Sequence, residues 1–160
     1  MQLLASEEYG LRCLLRVACA EGAGPVAISS IARSEGLSPE YTAKLMRELR
    51  LGGLVESVRG AEGGYRLARP ANEINVWGAL RVLGGEFFPD AFCACHGGQR
   101  SECVRAGDCS IRALWRTLKE AMRTTLERIT LEDLRRDERA MGAWLDPITL
   151  IPTATNLEAP

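Results

Sequence analysis

Apolar side chains recur at helical intervals from the start of the chain. The first set consists of Leu11, Leu14, Leu15 and Ala18. Because a helix repeats every 3.6 residues, this spacing predicts a first core helix from about residue 6 to residue 20. The apolar pattern resumes at residues 31 and 32, where Ser29 or Ser30 is expected to cap a short second helix. The chain therefore begins as a helical domain.

A third helix signal follows after a single glycine. Gly36 can adopt the positive φ that ends a helix, and Ser38-Pro39-Glu40 has the cap and the proline of a helix start. Two helices joined by so short a turn form a helix-turn-helix. Its second helix carries Tyr41, Leu45 and Leu49 on one side and Glu40, Ala43, Lys44 and Arg47 on the other. The polar side is the one that would face a DNA major groove.

Two β-like runs with a glycine-rich segment between them come next. They are residues 54–58 and 65–67, and residues 59–64 separate them. A hairpin directly after a helix-turn-helix is a wing. We expect the flexible backbone at Gly60 to approach DNA closely and Arg59 to enter the groove or meet phosphates there.

The chain beyond the wing alternates between helical and irregular patterns. Residues 74–83 predict an apolar helix ending at Gly84-Gly85, whereas residues 86–108 carry no helical pattern. A long helix is predicted from about residue 110 to residue 129. Its apolar seam consists of Ile111, Trp115, Leu118, Met122, Thr125 and Ile129. A small winged domain offers little core to this seam, so its expected partner is a second copy of the chain.

The predicted organisation is mainly α-helical. It comprises a winged helix-turn-helix DNA-binding domain at 1–84, a cysteine-rich loop at 85–109, dimerisation helices at 110–140 and a C-terminal tail at 141–160. Thr130 and Asp133 resemble a capping box for the last helix, which is expected to run through residue 139. A chain of 160 residues can bury one compact core but is too small for a large two-domain enzyme.

Charge and hydropathy limit the environment in which the protein works. No run of about 20 apolar residues is present to span a bilayer, and Glu7 and Glu8 stand where a signal peptide would be basic. We therefore expect a cytoplasmic protein that does not contact membranes. The formal net charge of -1 means that any DNA-binding surface must be local.

Four cysteines fall close together in the irregular loop. They are Cys93, Cys95, Cys103 and Cys109, and the sole histidine, His96, lies beside them. In a reducing compartment clustered thiols favour a metal or redox role over structural disulfides. Thiolates on a short loop suit a soft metal, which predicts a DNA-binding sensor with a metal centre. Structural zinc and a metal-free thiol switch are the alternatives.

An enzymatic role is the remaining alternative. A small thiol oxidoreductase could use Cys93 and Cys95, but the histidine has no evident carboxylate partner and no phosphate loop is present. We therefore expect that the protein is not an enzyme. The other two cysteines, Cys13 and Cys19, lie in the first predicted helix and are interpreted as small packing residues.

Several motifs of the chain resemble those of one protein family. They are Tyr9-Gly10-Leu11-Arg12, Leu37-Ser38-Pro39-Glu40-Tyr41, Gly53-Leu54-Val55, Ser57-Val58-Arg59-Gly60 with Gly63-Gly64-Tyr65, and Ile129-Thr130-Leu131-Glu132-Asp133-Leu134. Over roughly residues 1–135 the chain resembles the bacterial winged-helix iron-sulfur transcription regulators of the IscR/NsrR/RirA/CymR family. The resemblance implies a homodimer that binds a double-stranded DNA operator, commonly as a repressor. In most branches it also implies a 2Fe-2S or 4Fe-4S cluster that senses redox state, nitric oxide or iron, although CymR-like members have no cluster.

The resemblance also implies a set of site residues. Three cluster ligands map to Cys103, Cys109 and one of Cys93 or Cys95. The histidine ligand of the IscR branch falls on Arg112, and the carboxylate that the partner subunit supplies in the NsrR branch falls on Glu8. The candidates for a fourth ligand are therefore the spare thiol, His96 and Glu8. The residues expected at DNA are Ser38, Glu40, Tyr41, Lys44, Arg47, Arg59 and Gly60, with the three cations on phosphates and Glu40 or Ser38 on base edges.

Overall fold

Seven α-helices and one antiparallel hairpin make up the described part of the chain. The structure is a computed structural model that describes residues 4–60 and 62–146. The elements are α1 (Ala5–Cys19), α2 (Ile28–Glu35), α3 (Pro39–Leu51), β1 (Val55–Val58), β2 (Gly64–Leu67), α4 (Val76–Gly84), α5 (Phe92–Cys95), α6 (Ser110–Leu126) and α7 (Glu138–Leu145). The predicted mainly α-helical fold with a small wing is therefore confirmed. Within residues 4–60 and 62–146, every helix is too short or too polar to cross a membrane.

The core lies among the first four helices. Its fully buried side chains include Leu14 of α1, Ile31 of α2 and Leu45 of α3, and they form one apolar cluster with Leu83 of α4. Each such side chain contributes about 1.5–3 kcal/mol by leaving water. Close packing extends to the backbone, because a Cβ added at Gly10 would lie 2.2 Å from a Leu83 methyl carbon.

The helix-turn-helix forms as predicted except at one cap. Gly36 ends α2 with φ 68°, and the Ser38 side chain accepts a hydrogen bond of 3.2 Å from the backbone N–H of Tyr41 at the start of α3. The cap predicted for α2 was wrong. That helix begins at Ile28 after Ala27, without a side-chain cap, and places Ser29 and Ser30 in its exposed first turn. A serine inside the first turn is common and does not by itself mark the boundary.

The wing is joined to the helical core by a second pairing. Within the hairpin, Glu56 pairs with Arg66 and Ser57 with Tyr65. Tyr65 also exchanges two backbone hydrogen bonds, of 2.8 and 2.9 Å, with Val26. Gly64 allows this approach, because a Cβ there would lie 2.4 Å from the Val26 carbonyl oxygen. The wing therefore has a fixed base against the segment that precedes α2.

The chain after α4 departs from the predictions in three places. The loop is irregular apart from α5, a single turn that the pattern did not predict, and α6 ends at Leu126 rather than at residue 129. Thr130 and Asp133 do form the reciprocal hydrogen bonds of a capping box, but these begin a short 3-10 turn, and α7 starts later with Asp137 as its cap. The predicted tail lies outside the described residues from position 147 onward.

The segment after α6 returns to the start of α4. The backbone N–H of Val76 donates to the Ile129 carbonyl at 2.8 Å, and the N–H of Leu131 donates to the Ile74 carbonyl at 2.9 Å. Leu131 is fully buried in the core. These two hydrogen bonds join the segment that follows α6 to the winged domain.

Candidate DNA interface and cysteine cavity

The outer face of α3 is a row of exposed polar side chains. Glu40, Lys44 and Arg47 are exposed, while Leu45 and Leu49 of the same helix are fully buried. Among residues 4–60 and 62–146, no carboxylate forms an ion pair with Lys44 or Arg47. Two unpaired cations one turn apart on an exposed helix suit contacts with phosphates.

Two other predicted DNA residues lie differently. The Ser38 hydroxyl is at the N-terminus of α3, where its oxygen is engaged as the cap. Tyr41 is half-buried against the core, and its ring stands edge-on to that of Tyr9 with centroids 6.2 Å apart. The structure therefore packs the Tyr41 ring against the core beside Tyr9.

The wing presents one unpaired arginine and one paired arginine. Arg59 and Gly60 are exposed just after β1, and Gly60 has φ 121°, which only glycine adopts readily. Arg66 of β2 forms an ion pair with Glu56 across the hairpin. In the described chain, Arg59 makes no such pair and remains free to meet an external anion.

Three of the four loop cysteines line one recess. Two adjoining cavities, of about 340 and 170 Å³, share as lining residues Cys93, Cys103, Arg105, Cys109 and Arg112. We call them together the cysteine cavity. The smaller one is also lined by Phe92, His96 and Trp115. The cavity therefore combines three half-buried thiols with two guanidinium groups and an aromatic wall.

Helix α6 begins at one of these thiols. The Cys109 sulfur accepts a hydrogen bond of 3.4 Å from the backbone N–H of Arg112 and so caps the helix. The Arg112 side chain turns back to donate to the Ala106 carbonyl at 3.0 Å. Sequence reasoning gave Arg112 no role, although its position three residues after Cys109 places it in the first turn.

His96 has a fixed ring although it is exposed. Its Nδ1 lies 2.8 Å from the Phe92 carbonyl oxygen, and its ring stacks on that of Phe92 with centroids 4.0 Å apart and planes at 11°. A carbonyl oxygen can only accept, so this geometry places the proton on Nδ1. The other ring nitrogen, Nε2, is then the one with a free lone pair.

Two of the predicted ligands do not join the cavity. Cys95 is exposed and lines neither part of it, and Glu8 is exposed on α1. Over residues 4–60 and 62–146, no three Cys, His, Asp or Glu side chains are drawn together closely enough to hold a metal ion. The donor types fit an iron-sulfur group, since thiolates are its usual ligands. Their present separation means that binding would have to draw the loop inward.

The start of the loop is attached to α6 by a lysine that sequence reasoning did not assign. The Lys119 ammonium lies 3.0 Å from a Glu86 carboxylate oxygen and 3.5 Å from one of Asp90. The hydrogen bond that Lys119 donates to Glu86 is the main reason that its pKa is raised. The ion pair between Lys119 and Glu86 holds residue 86 near the middle of α6, so the start of the loop is joined to this helix.

The two cysteines of α1 differ. Cys13 is fully buried, and burial together with the nearby Glu35 carboxylate raises its pKa to about 11, so it is a packing residue as predicted. Cys19 is exposed, which contradicts the same interpretation for that position. Arg12 pairs with Glu35 at 3.0 Å, so the first helix is joined to α2.

Comparisons with known proteins agree with this fold. A family model described as "Rrf2: Iron-dependent Transcriptional regulator" matches residues 4–137. The chain is 34% identical to the HTH-type transcriptional regulator CymR of Bacillus subtilis, covering 84% of this chain and 89% of the relative. It is 36% identical to the regulator IscR of Photobacterium profundum, covering 86% and 77%.

Solved structures of such regulators are similar too. CymR of B. subtilis matches with a TM-score of 0.68 at 33% identity, covering 84% of this chain and 95% of that one. IscR of T. potens matches with a TM-score of 0.69 at 33% identity, covering 86% and 88%. The winged-helix architecture is therefore shared along nearly the whole described chain.

Proposed function

Because the chain belongs to the Rrf2 family of transcriptional regulators, we propose that it binds operator DNA as a homodimer whose affinity is set by an iron-sulfur cluster. Family membership makes it a DNA-binding regulator rather than an enzyme. The observation that carries the cluster proposal is the position of Cys93, Cys103 and Cys109 around one cavity.

The DNA contacts of this proposal are divided between helix and wing. Lys44 and Arg47 on the outer face of α3 are directed to phosphates, with Glu40 at base edges in the major groove. Arg59 and Gly60 reach the neighbouring backbone or minor groove. Support comes from the exposure of these residues and from the absence, in the described chain, of ion pairs on the three cations.

The dimer contact of this proposal is the apolar face of α6. No residue of α6 is buried in the described chain, and its large exposed side chains are Ile111 at 51%, Leu114 at 52%, Trp115 at 37% and Leu118 at 41%. Side chains of this size at helical intervals are typical of a helix that packs on another helix. A second copy of α6 offers the same face in return.

The cysteine cavity is the proposed control point. Cys93, Cys103 and Cys109 would hold the cluster, and Arg105 and Arg112 would offset its negative charge. A bound cluster supplies a redox-active centre that oxidation, nitric oxide or iron shortage can alter or remove. Cys109 caps α6, and the ion pair of Lys119 joins the loop to the same helix, so a movement of the loop on cluster binding would be passed to α6. A coupling of about 1–3 kcal/mol would change operator affinity about 5- to 150-fold.

Anaerobic purification and operator titration test the proposal. We expect brown protein that contains iron and acid-labile sulfide. Cys103→Ala and Cys109→Ala should lose both and change affinity for an operator fragment, selected from genomic DNA by the protein, within the range given above. Cys19→Ala is the matched control, since Cys19 is exposed on α1, and it should retain the iron. Protein without iron and sulfide would refute the cluster proposal.

A metal-free regulator is the second candidate. It is favoured by the similarity to CymR, which is described as "the Global Cysteine Regulator of B. subtilis" and whose Staphylococcus aureus counterpart has been solved in an "oxidized form". In one form of it the loop cysteines would act as a thiol switch, and in another a partner protein would control DNA binding. A zinc-bound regulator of the same fold is a further alternative. Iron and sulfide analysis of the anaerobic protein separates these alternatives from the cluster proposal. In the titration, only regulation by a partner protein predicts DNA binding unaffected by Cys103→Ala and Cys109→Ala.

A further inference from the structure

The cysteine cavity offers three thiols but an iron-sulfur cluster or a tetrahedral metal ion needs a fourth ligand. We infer that His96 of the same chain is that ligand, which completes a set with Cys93, Cys103 and Cys109. The inference rests on the proposed function, because it concerns the group that the cavity holds.

The hydrogen bond of His96 is the first argument. Nδ1 donates its proton to the Phe92 carbonyl at 2.8 Å, so the neutral ring keeps its lone pair on Nε2. Metal-bound histidines are held in this way, with one ring nitrogen on the metal and the other donating to a carbonyl or carboxylate. The tautomer that binding requires is therefore the one that the loop favours.

The single turn of α5 is the second argument. Residues three apart on a helical turn share a face, whereas residues two apart point to nearly opposite sides. Cys93 lies within α5 and His96 directly follows this turn as its C-terminal cap, and both line the smaller part of the cysteine cavity. Cys95 is two residues from Cys93, is exposed and lines neither part. The same turn thus selects Cys93 over Cys95 as the first thiol ligand.

Phe92 limits the positions that the imidazole can take. The stacked rings, with centroids 4.0 Å apart, hold the imidazole beside the cavity at which Cys103 and Cys109 also stand. The four donors still have to approach one another, because within the described residues they are not at metal-binding distance. Gly97 and Gly98 directly follow His96, and Gly98 has φ 74°, so the chain there can bend as the loop closes.

The remaining candidates fit less well. Arg112, which lines both parts of the cavity, is a cation without a lone pair to donate. Glu8 lies exposed on α1, and in the described chain it does not line the cavity, so it could act only from a partner subunit.

The test uses the fact that His96 is the only histidine in the chain. Full-length protein is prepared with ¹⁵N-histidine, reconstituted anaerobically with iron and sulfide, reduced, and studied by pulsed electron paramagnetic resonance. We expect ¹⁵N hyperfine coupling from a directly bound imidazole. His96→Cys replaces the imidazole with a thiolate, so the iron should be retained and the reduction potential should fall, because imidazole ligands raise the potential of such clusters. Cys95→Ser should retain both the coupling and the iron content.

A second probe keeps failure of this inference separate from failure of the proposed function. The same labelled protein, free of iron, is titrated with Co²⁺, and its sulfur-to-metal absorption and ¹⁵N coupling are recorded. Cobalt bound by sulfur and labelled nitrogen in protein that forms no cluster would support the His96 site while refuting the cluster. A cluster or a cobalt site without nitrogen coupling overturns the inference, as does absence of binding by both. Loss of the cluster in Glu8→Gln, with no coupling in the unsubstituted protein, would assign the position to Glu8 instead.

Discussion

Arg59 and Arg66 belong to the same wing and carry the same charge, but they differ in their ion pairing. Arg66 is held by Glu56 across the hairpin, whereas Arg59 is exposed and, in the described chain, has no carboxylate partner. An arginine already paired has less to gain from a phosphate than an unpaired one, since binding would have to break or share the existing ion pair. The charge available to DNA at the wing is thus that of Arg59.

Replacing Arg59 should alter the salt dependence of DNA binding. Removing one cation from a phosphate makes the slope of log affinity against log salt less steep by about 0.9. Because the proposed dimer would lose one such contact in each subunit, we expect Arg59→Ala to weaken operator binding and to reduce the slope by about 1.8 in mobility-shift titrations at several salt concentrations. Arg66→Ala is the control and should leave the slope nearly unchanged. An unaltered slope for Arg59→Ala would remove this residue from the interface.

At the scale of elements, the turn between α2 and α3 was predicted correctly, whereas the start of α2 and the end of α6 were not. Gly36 and Ser38 act within one turn of their own helices, and the boundary that they predict is the one found. The capping box of Thr130 and Asp133 was also predicted, but the second cap at Asp137 restarts the chain as α7. A capping motif predicts where a helical turn begins, but the residues that follow determine how far the helix continues.

The capping box makes a pH-dependent contribution to stability. Burial, the largest single influence, raises the pKa of Asp133, but hydrogen bonds from Thr130 and Arg136 outweigh it and lower the pKa below the usual 3.8. A carboxyl whose pKa is lowered on folding stabilises the protein above its unfolded pKa and ceases to do so as pH falls through the folded value. The contribution is therefore present at neutral pH and is lost below about pH 3.8.

Asp133→Ala should accordingly lower the free energy of unfolding by about 1 kcal/mol at pH 7, the usual cost of removing a cap. The difference from the unsubstituted protein should shrink below pH 3.8, which urea titrations at both pH values can measure. Asp90→Ala removes a carboxylate that is 93% exposed, and it should cost less than about 0.5 kcal/mol at either pH. A difference for Asp133→Ala that is the same at both pH values would contradict this linkage.

At the scale of the whole molecule, the candidate site depends on contacts that spacing along the chain does not encode. The sequence identified four loop cysteines and one histidine as a group, but it left open which of Cys93 and Cys95 faces the others. In the structure, Cys93 lines the cavity and Cys95 does not. The sequence could not predict this, because α5 is a single turn and is too short to show a hydrophobic period. The roles of Arg112 and Lys119 were missed for a related reason, since each depends on how the loop folds back on α6.

Of the predicted seam, Ile111, Trp115 and Leu118 of α6 remain exposed in the single chain, whereas Ile129 lies beyond α6 and is buried. Exposed leucine and tryptophan on a helix that contributes nothing to the chain's own buried core are costly in water unless another surface covers them. If that surface is a second copy, its effect reaches the DNA. Two recognition helices on one dimer bind two half-sites together, and such linkage raises affinity about 10²- to 10⁴-fold over a single site.

Leu118→Glu places a charge in the middle of this face. We expect the variant to sediment as a monomer in analytical ultracentrifugation and to lose about 10²-fold or more in affinity for a two-half-site operator. Thr117→Glu adds the same charge to the same helix at an exposed polar position off the apolar face, so it should remain a dimer. Because Leu118 is 41% exposed and α6 has no buried residue in the described chain, the helix itself should fold in both variants, which circular dichroism can verify. A dimeric Leu118→Glu variant with unchanged operator affinity would mean that the subunits associate through another surface.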